Sequence, residues 1–142
     1  MIDNRTAPYA ALLLRLTFGI MLVSHGLMKV LVFTPAGTVG YFESLGIPAI
    51  FAWLTMAGEV GGGILILLGI QVRWVAVLVL PVLLGALVVH SGNGWSFSAD
   101  GGGWEYPAYL AATAVVQILL GDGAHALMPS WGLSRTAQRA AA

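Results

Sequence analysis

The residue best suited to chemistry in this sequence is Glu59, a carboxylate in the middle of a largely apolar run, residues 49–70. A run of about 20 apolar residues is long enough to span a bilayer. Ionisable side chains are rare at that depth, because removing them from water is costly. The glycines around it allow neighbouring helices to come close: Gly58, Gly61, Gly62 and Gly63. We therefore expect Glu59 to face a partner side chain, a cavity or the interior of a helix bundle.

Three basic side chains share one stripe of the preceding apolar segment. Arg15, His25 and Lys29 fall within an arc of roughly 80° on a helix of 3.6 residues per turn, so this stripe should face other helices rather than lipid. Arg15 lies nearer the inner side of the membrane, within reach of Glu59. Counted from the rise per residue, five ionisable groups lie in the outer half of the membrane, and they come from four different apolar segments: His25, Lys29, Glu59, His90 and Glu105.

This set of groups suits proton and redox chemistry. A histidine and a buried carboxylate can exchange protons near neutral pH. A membrane pocket of that kind fits a quinone, whose carbonyls need hydrogen-bond donors and protons. We expect Glu59, His25 and His90 to handle protons. Five further residues are expected to bind the ligand. Arg15 and Lys29 would stabilise its reduced, anionic form, and the rings of Trp53 and Trp104 would lie beside it. Glu105 is the fifth expected binding residue.

Other interpretations of the same residues stay open. Lys29 is near a helix end and can snorkel to the interface, and Glu59 can form a purely structural ion pair with Arg15. The sequence leaves open whether the partner of Glu59 is Arg15, Lys29 or a histidine. Histidines and carboxylates also bind divalent metals, and His25 with His90 can ligate one haem. No H-x-x-x-H or E-x-x-H pair occurs, and we assign no metal ligands.

Composition defines the class of the protein. The chain has 142 residues, of which 58% are hydrophobic and only 8% are charged, whereas a soluble domain carries charge on roughly a quarter of its residues. The sequence is therefore that of a membrane protein, with the lipid bilayer as its first partner. Six basic and six acidic residues argue against a nucleic-acid partner. The absence of cysteine excludes disulfide and dithiol chemistry within this chain.

The apolar pattern predicts an all-α membrane protein, a bundle of four transmembrane helices in one domain, residues 1–142. A short interfacial helix is expected between the first two spans, and residues 121–142 are expected to form a mobile tail. The first span is too long for a cleavable signal peptide. The spans are expected at about residues 9–32, 49–70, 74–90 and 104–120.

Orientation follows from the basic residues, which mark the cytoplasmic side. In a four-span arrangement one side carries Arg5, Arg73, Arg135 and Arg139. Both termini are therefore expected in the cytoplasm, with the protein in the plasma (inner) membrane of a bacterium.

Several short blocks resemble the DoxX family of small four-helix bacterial membrane proteins. They extend over roughly residues 12–123 and begin with Arg15 and Gly19. The other blocks are SHGLMK at 24–29, FESLGIP at 42–48, GEVGG at 58–62, HSGNG at 90–94 and GGWEYP at 102–107. The resemblance implies a membrane subunit linked to redox chemistry. The family takes its name from a subunit of an archaeal thiosulfate:quinone oxidoreductase, and other members are tied to oxidative-stress or thiol-redox complexes with soluble partners.

Three functional hypotheses follow. The leading one is a redox-associated subunit that binds a quinone-like or other small apolar redox molecule in the outer half of the bundle. The second is a non-catalytic membrane anchor or assembly subunit for a soluble oxidoreductase, whose polar residues only fix the bundle. The third is a small-solute transporter, which would need a dimer because four spans leave little room for a pathway. We also expect a protein partner or a homo-oligomer. Whether the chain is itself an enzyme stays open.

Overall fold

The computed structural model describes residues 3–131, and this part of the chain is helical apart from its connections and one isolated bridge between Ile70 and Met128. A π-helical segment, Met28–Val32, extends the first helix, and a 3₁₀ turn, Ser91–Asn93, follows the fourth. The five α-helices are α1 Ala7–Leu27, α2 Pro35–Ser44, α3 Ala49–Leu68, α4 Val72–His90 and α5 Glu105–Leu120. The predicted all-helical fold is confirmed, and α2 lies where a short helix between the first two spans was expected.

Within residues 3–131, three helical segments are long and apolar enough to cross a membrane: Ala7–Val32, Ala49–Leu68 and Val72–Asn93. The fourth candidate, α5, is apolar but has only 16 residues. At 1.5 Å per residue it is about 24 Å long, somewhat less than a typical hydrocarbon core. The protein is thus a multi-pass membrane protein, and the predicted count of four spans is not confirmed.

The long helices run antiparallel. We call the end where α1 and α4 finish and α3 and α5 begin the pocket end, and the opposite end, with the tight turn between α3 and α4, the turn end. Helix α1 packs mainly on α3, α4 packs mainly on α5, and α2 lies against α3. The buried core is formed chiefly by Phe18, Leu22, Ile66, Val72, Val79, Leu83 and Ala114.

Glycines set the distance between α1 and α3. A Cβ atom placed on Gly63 would lie 2.7 Å from a methyl group of Val23 and 3.0 Å from the backbone oxygen of Gly19. A Cβ on Gly26 would lie 2.9 Å from the backbone nitrogen of Val60. These separations are below van der Waals contact, so the two backbones touch directly. Small residues permit such close packing between membrane helices.

The turn end is closed by the segment that follows α5. Asp122 accepts a hydrogen bond from the first backbone N–H of α4, at Val72 (3.0 Å), and two more from Ser130. The N–H groups of the first helical turn have no intrahelical partner, so Asp122 caps α4 from a distance in sequence. The backbone of Met128 pairs with Gly69 and Gln71. Residues 121–131 are therefore packed, and the prediction of a mobile tail from residue 121 is wrong for them; residues 132–142, with Arg135 and Arg139, lie outside the described residues.

The contact between α1 and α3 predicts a position-specific effect of one methyl group. Gly63→Ala should lower the free energy of unfolding by about 1–3 kcal/mol, because backbone atoms of α1 would have to move. The matched control is Gly61→Ala on the same helix, where an added Cβ meets no atom within 4 Å and stability should stay equal or rise. Thermal unfolding in detergent measures both variants, and equal melting temperatures would contradict the close contact.

The remote cap of α4 predicts that Asp122→Ala destabilises the protein by at least about 2 kcal/mol, because buried donors lose a charged acceptor. Asp100→Ala is the control, since this exposed carboxylate accepts no hydrogen bond from any described residue. Its melting temperature should match that of the parent protein. A similarly small effect for Asp122→Ala would show that residues 121–131 do not hold the turn end.

Candidate functional site

A cavity of about 900 Å³ opens at the pocket end. It is bounded by α1 with its π-helical extension, α2, α3, α4, the loop after α4, and α5. Its walls are mainly apolar, with side chains such as Met21, Phe42, Leu83 and Leu110. The ionisable and hydroxyl-bearing side chains that line it are His25, Lys29, Thr38, Tyr41, Glu59, His90 and Tyr106.

An ion pair joins α1 to α3 on the wall of this cavity. The ammonium group of Lys29 donates to both carboxylate oxygens of Glu59, at 2.9 Å to Oε1 and 2.8 Å to Oε2. The Glu59 side chain is 8% exposed and the Lys29 side chain 20%. Buried charges are stable in an apolar setting when they are paired and hydrogen-bonded. The Glu59 carboxyl group is therefore paired and held in a fixed position beside the cavity.

The local backbone explains how Lys29 reaches Glu59. Lys29 lies in the π-helical segment, and π-helical turns occur frequently at functional sites. Its carbonyl oxygen accepts a hydrogen bond of 3.0 Å from the hydroxyl of Thr38, which ties α2 to this segment. One turn earlier, Gly26 leaves room for Glu59, because a Cβ on Gly26 would lie 3.0 Å from the Cβ of Glu59.

His25 is oriented by the backbone and by an aromatic ring. Its Nδ1 lies 2.8 Å from the carbonyl oxygen of Met21. A carbonyl can only accept, so Nδ1 carries the proton of this hydrogen bond. The imidazole stacks on the ring of Tyr106, with centroids 5.3 Å apart and planes at 23°. The Tyr106 hydroxyl is buried and has no hydrogen-bond partner among residues 3–131.

His90 is held in the same way by the loop between α4 and α5. Its Nδ1 lies 2.8 Å from the carbonyl oxygen of Gly102 and must also carry the proton. Asn93 donates to the same carbonyl, at 2.9 Å. Gly102 has φ +76°, a conformation that glycine adopts at little cost. The loop backbone thus fixes both the ring of His90 and its tautomer.

The structure brings together four of the predicted site residues on one cavity: His25, Lys29, Glu59 and His90. Arg15 is not among them. This buried side chain lies at the turn end and donates to the carbonyl oxygens of Asp122 (2.6 Å) and His125 (3.4 Å). The expectation that Arg15 reaches Glu59 is wrong, because the segment after α5 supplies its partners instead.

The two predicted tryptophans and Glu105 do not line the cavity. Trp53 is 53% exposed on the outside of α3. Trp104 packs edge to face on Trp95, with centroids 4.5 Å apart. Glu105 accepts a hydrogen bond from the backbone of Phe97 and so stabilises the loop. Their predicted binding roles are not supported by these positions.

Sequence reasoning missed the residues that take those places. Tyr106 and Thr38 are not among the site residues that the sequence predicts. Spacing offers a signal only for Tyr106, which is one turn before Leu110 on the face of α5 that lines the cavity. Among the described residues there is no group of three or more His, Asp or Glu side chains placed to hold a metal. The metal alternative thus has no ligand set in this part of the chain.

The comparisons with known proteins agree with the resemblance noted in the sequence. Residues 10–92 match the DoxX family profile. The chain belongs to the DoxX family. His25, Lys29, Glu59 and His90 all fall within the matched range, whereas Tyr106 and the rest of α5 lie beyond it.

A curated protein of Bacillus subtilis (strain 168), named "Putative oxidoreductase CatD", is 36% identical over 85 residues. The match covers 60% of this chain and 62% of that protein, so this chain spans less than two thirds of its relative. No solved structure matches the chain.

The ion pair predicts a non-additive mutational response. Lys29→Met should lower the free energy of unfolding by at least about 2 kcal/mol, because the Glu59 charge stays buried without a partner. Glu59→Met should cost less, since a lysine near a helix end can extend to the interface. The double variant should be more stable than Lys29→Met alone. Chemical denaturation in detergent measures the cycle, and simple additivity would contradict a coupled pair.

Proposed function

We propose that this protein is a redox-associated membrane subunit that binds a quinone-like small molecule in the cavity at the pocket end. The observation that carries the proposal is the cavity itself. Its volume of about 900 Å³ lies within the range of small-molecule sites, and such sites are mostly apolar with a few well-placed polar groups. A lipid-soluble ligand can reach a site inside a membrane-spanning bundle through the bilayer.

The residues present fit a quinone in size and in chemistry. The apolar walls accommodate a ring, and the Tyr106 hydroxyl is a buried polar group without a partner in the described chain. An orphaned hydroxyl of this kind costs about 1–3 kcal/mol, which a ligand oxygen would recover. Quinones bring two-electron redox chemistry coupled to protons. The chain's own part is to bind the ring, orient its oxygens and accept protons at the Nε2 atoms of His25 and His90.

Glu59 and Lys29 would serve as the charged wall of the site. The pair is neutral as a whole, and Lys29 keeps one of its three N–H groups free after two bonds to Glu59. That remaining N–H can reach an oxygen of a bound ligand. Glu59 would hold the lysine in place, and the two histidines would exchange protons with the ligand.

The topology belongs to the same proposal. We place the protein in a bacterial inner membrane with α5 as a fourth span, since tilt and local bilayer thinning accommodate short helices. Arg5 and Arg73 both lie at the turn end, before α1 and at the start of α4. The positive-inside rule then puts the turn end and both termini in the cytoplasm, and the cavity in the outer half. The name of the Bacillus subtilis relative, "Putative oxidoreductase CatD", supports a redox theme.

A second candidate function is that of a membrane anchor or assembly subunit for a soluble oxidoreductase. The observation that favours it is the completeness of the ion pair, in which both Glu59 oxygens are already bound by Lys29. A pair of this kind can fix the register of two helices without any ligand. Such a protein would bind its partner with an empty cavity.

The test is to fill the cavity without touching its polar groups. Ala86 lines the cavity from α4, whereas its neighbour Gly85 faces open space. Protein purified in mild detergent should yield a quinone in an organic extract analysed by mass spectrometry, at about one per chain. Ala86→Phe should lose this quinone, because the ring occupies its volume, and Gly85→Phe should retain it.

Two controls define the outcome. An unrelated membrane protein prepared identically measures quinone carried by the detergent, and thermal unfolding shows that both phenylalanine variants fold. A quinone content equal to that of the unrelated protein would overturn the proposal. Partner proteins that co-purify equally with parent and Ala86→Phe would then favour the anchor function.

A further inference from the structure

The two cavity histidines share an arrangement that limits what they can bind. Both Nδ1 atoms lie 2.8 Å from backbone carbonyl oxygens, of Met21 for His25 and of Gly102 for His90. Carbonyl oxygens cannot donate, so both Nδ1 atoms are the protonated ones. In a neutral imidazole the other nitrogen then has no hydrogen and is an acceptor. Neither Nε2 has a hydrogen-bond partner among residues 3–131.

The remaining polar groups do not reverse this bias towards acceptors. The hydroxyl of Thr38 already donates to the carbonyl of Lys29. Two N–H groups of Lys29 are bound to Glu59, which leaves one donor. The hydroxyls of Tyr41 and Tyr106 can donate or accept and so favour neither kind of ligand. The cavity is thus lined by two imidazoles that the backbone holds in one tautomer, with Nε2 as the acceptor and unpaired within residues 3–131.

We propose that the cavity binds the reduced, dihydroxy form of a quinone-like ring in preference to the dione. This inference rests on the function proposed above and adds the redox state of the ligand. A hydroquinone donates its two O–H groups, which match the Nε2 atoms of His25 and His90. A dione carries only acceptors, so it would leave the acceptor nitrogens of both histidines without a ligand donor. Buried polar groups without partners are costly, and a site built for a hydroxyl therefore rejects the analogue that lacks it.

The experiment compares three probes of nearly the same shape: menadiol, menadione and menadiol dimethyl ether. Equilibrium dialysis against detergent-solubilised full-length protein is run at pH 8, where a free histidine side chain is neutral, with empty micelles as the partition blank. Dithionite keeps menadiol reduced, and it leaves the covalent structure intact because the chain has no cysteine. Menadiol should bind about tenfold more tightly than menadione or the ether, as expected when polar groups of the site are left unpaired.

Matched variants test whether the preference for menadiol depends on the Nε2 atoms of His25 and His90. His25→Asn and His90→Asn keep an N–H near the position of Nδ1 and remove Nε2, so each should reduce the preference for menadiol to about threefold or less. His125→Asn is the control. His125 lies at the turn end beside Tyr9, with φ +55°, and asparagine tolerates that backbone conformation. This variant should keep the full preference.

The outcomes separate this inference from the function on which it rests. Menadione that binds as tightly as menadiol would overturn the preference and leave a quinone site in place. An ether that binds as tightly as menadiol would likewise show that the hydroxyl protons are not used. Binding of none of the three probes above the micelle blank would overturn both the preference and the quinone site.

Discussion

The direct contact between the backbones of α1 and α3 is the constraint on which the rest of the site depends. Gly19 and Gly63 bring the two helices within van der Waals distance, and Gly26 continues this contact up to Glu59. At that separation the side chain of Lys29 reaches both oxygens of Glu59. Larger side chains on this face would move α3 outward, and the ion pair and one wall of the cavity would be lost together. The position of the ion pair therefore depends on the close packing of α1 against α3.

The sequence alone predicts the parts of this arrangement that depend on local periodicity. Long apolar runs predict the helices, because a chain in lipid must satisfy its backbone groups internally. The stripe of basic residues on α1 predicts that this face is inside the bundle. Depth counted from the rise per residue correctly groups His25, Lys29 and Glu59 with His90 at one end, where all four line the cavity. The function of these residues stays a prediction.

The features that sequence reasoning missed depend on contacts between distant parts of the chain. Arg15 and Glu59 are close in predicted depth, but Arg15 is bound by carbonyls more than 100 residues later, which no local pattern reveals. The loop after α4 is polar and glycine-rich, a composition that indicates only a turn. Its fold nevertheless orients His90 through Gly102. Trp53 and Trp104 were expected beside the ligand because of their ring type, and their actual positions depend on helix rotation and loop geometry.

The bonds of Arg15 also have a consequence for the biosynthesis of the protein. Chains emerge from the ribosome N-terminal end first, so α1 enters the membrane long before residues 122–125 exist. Until then, the guanidinium group lacks the carbonyls of Asp122 and His125 that accept its hydrogen bonds in the finished protein. An arginine within a spanning helix opposes insertion by about 2.5–3.5 kcal/mol on translocon scales. The first helix is therefore held in the membrane by its apolar residues alone until residues 122–125 have been synthesised. In a chain truncated before residue 122, Arg15 would lack both of these hydrogen-bond acceptors.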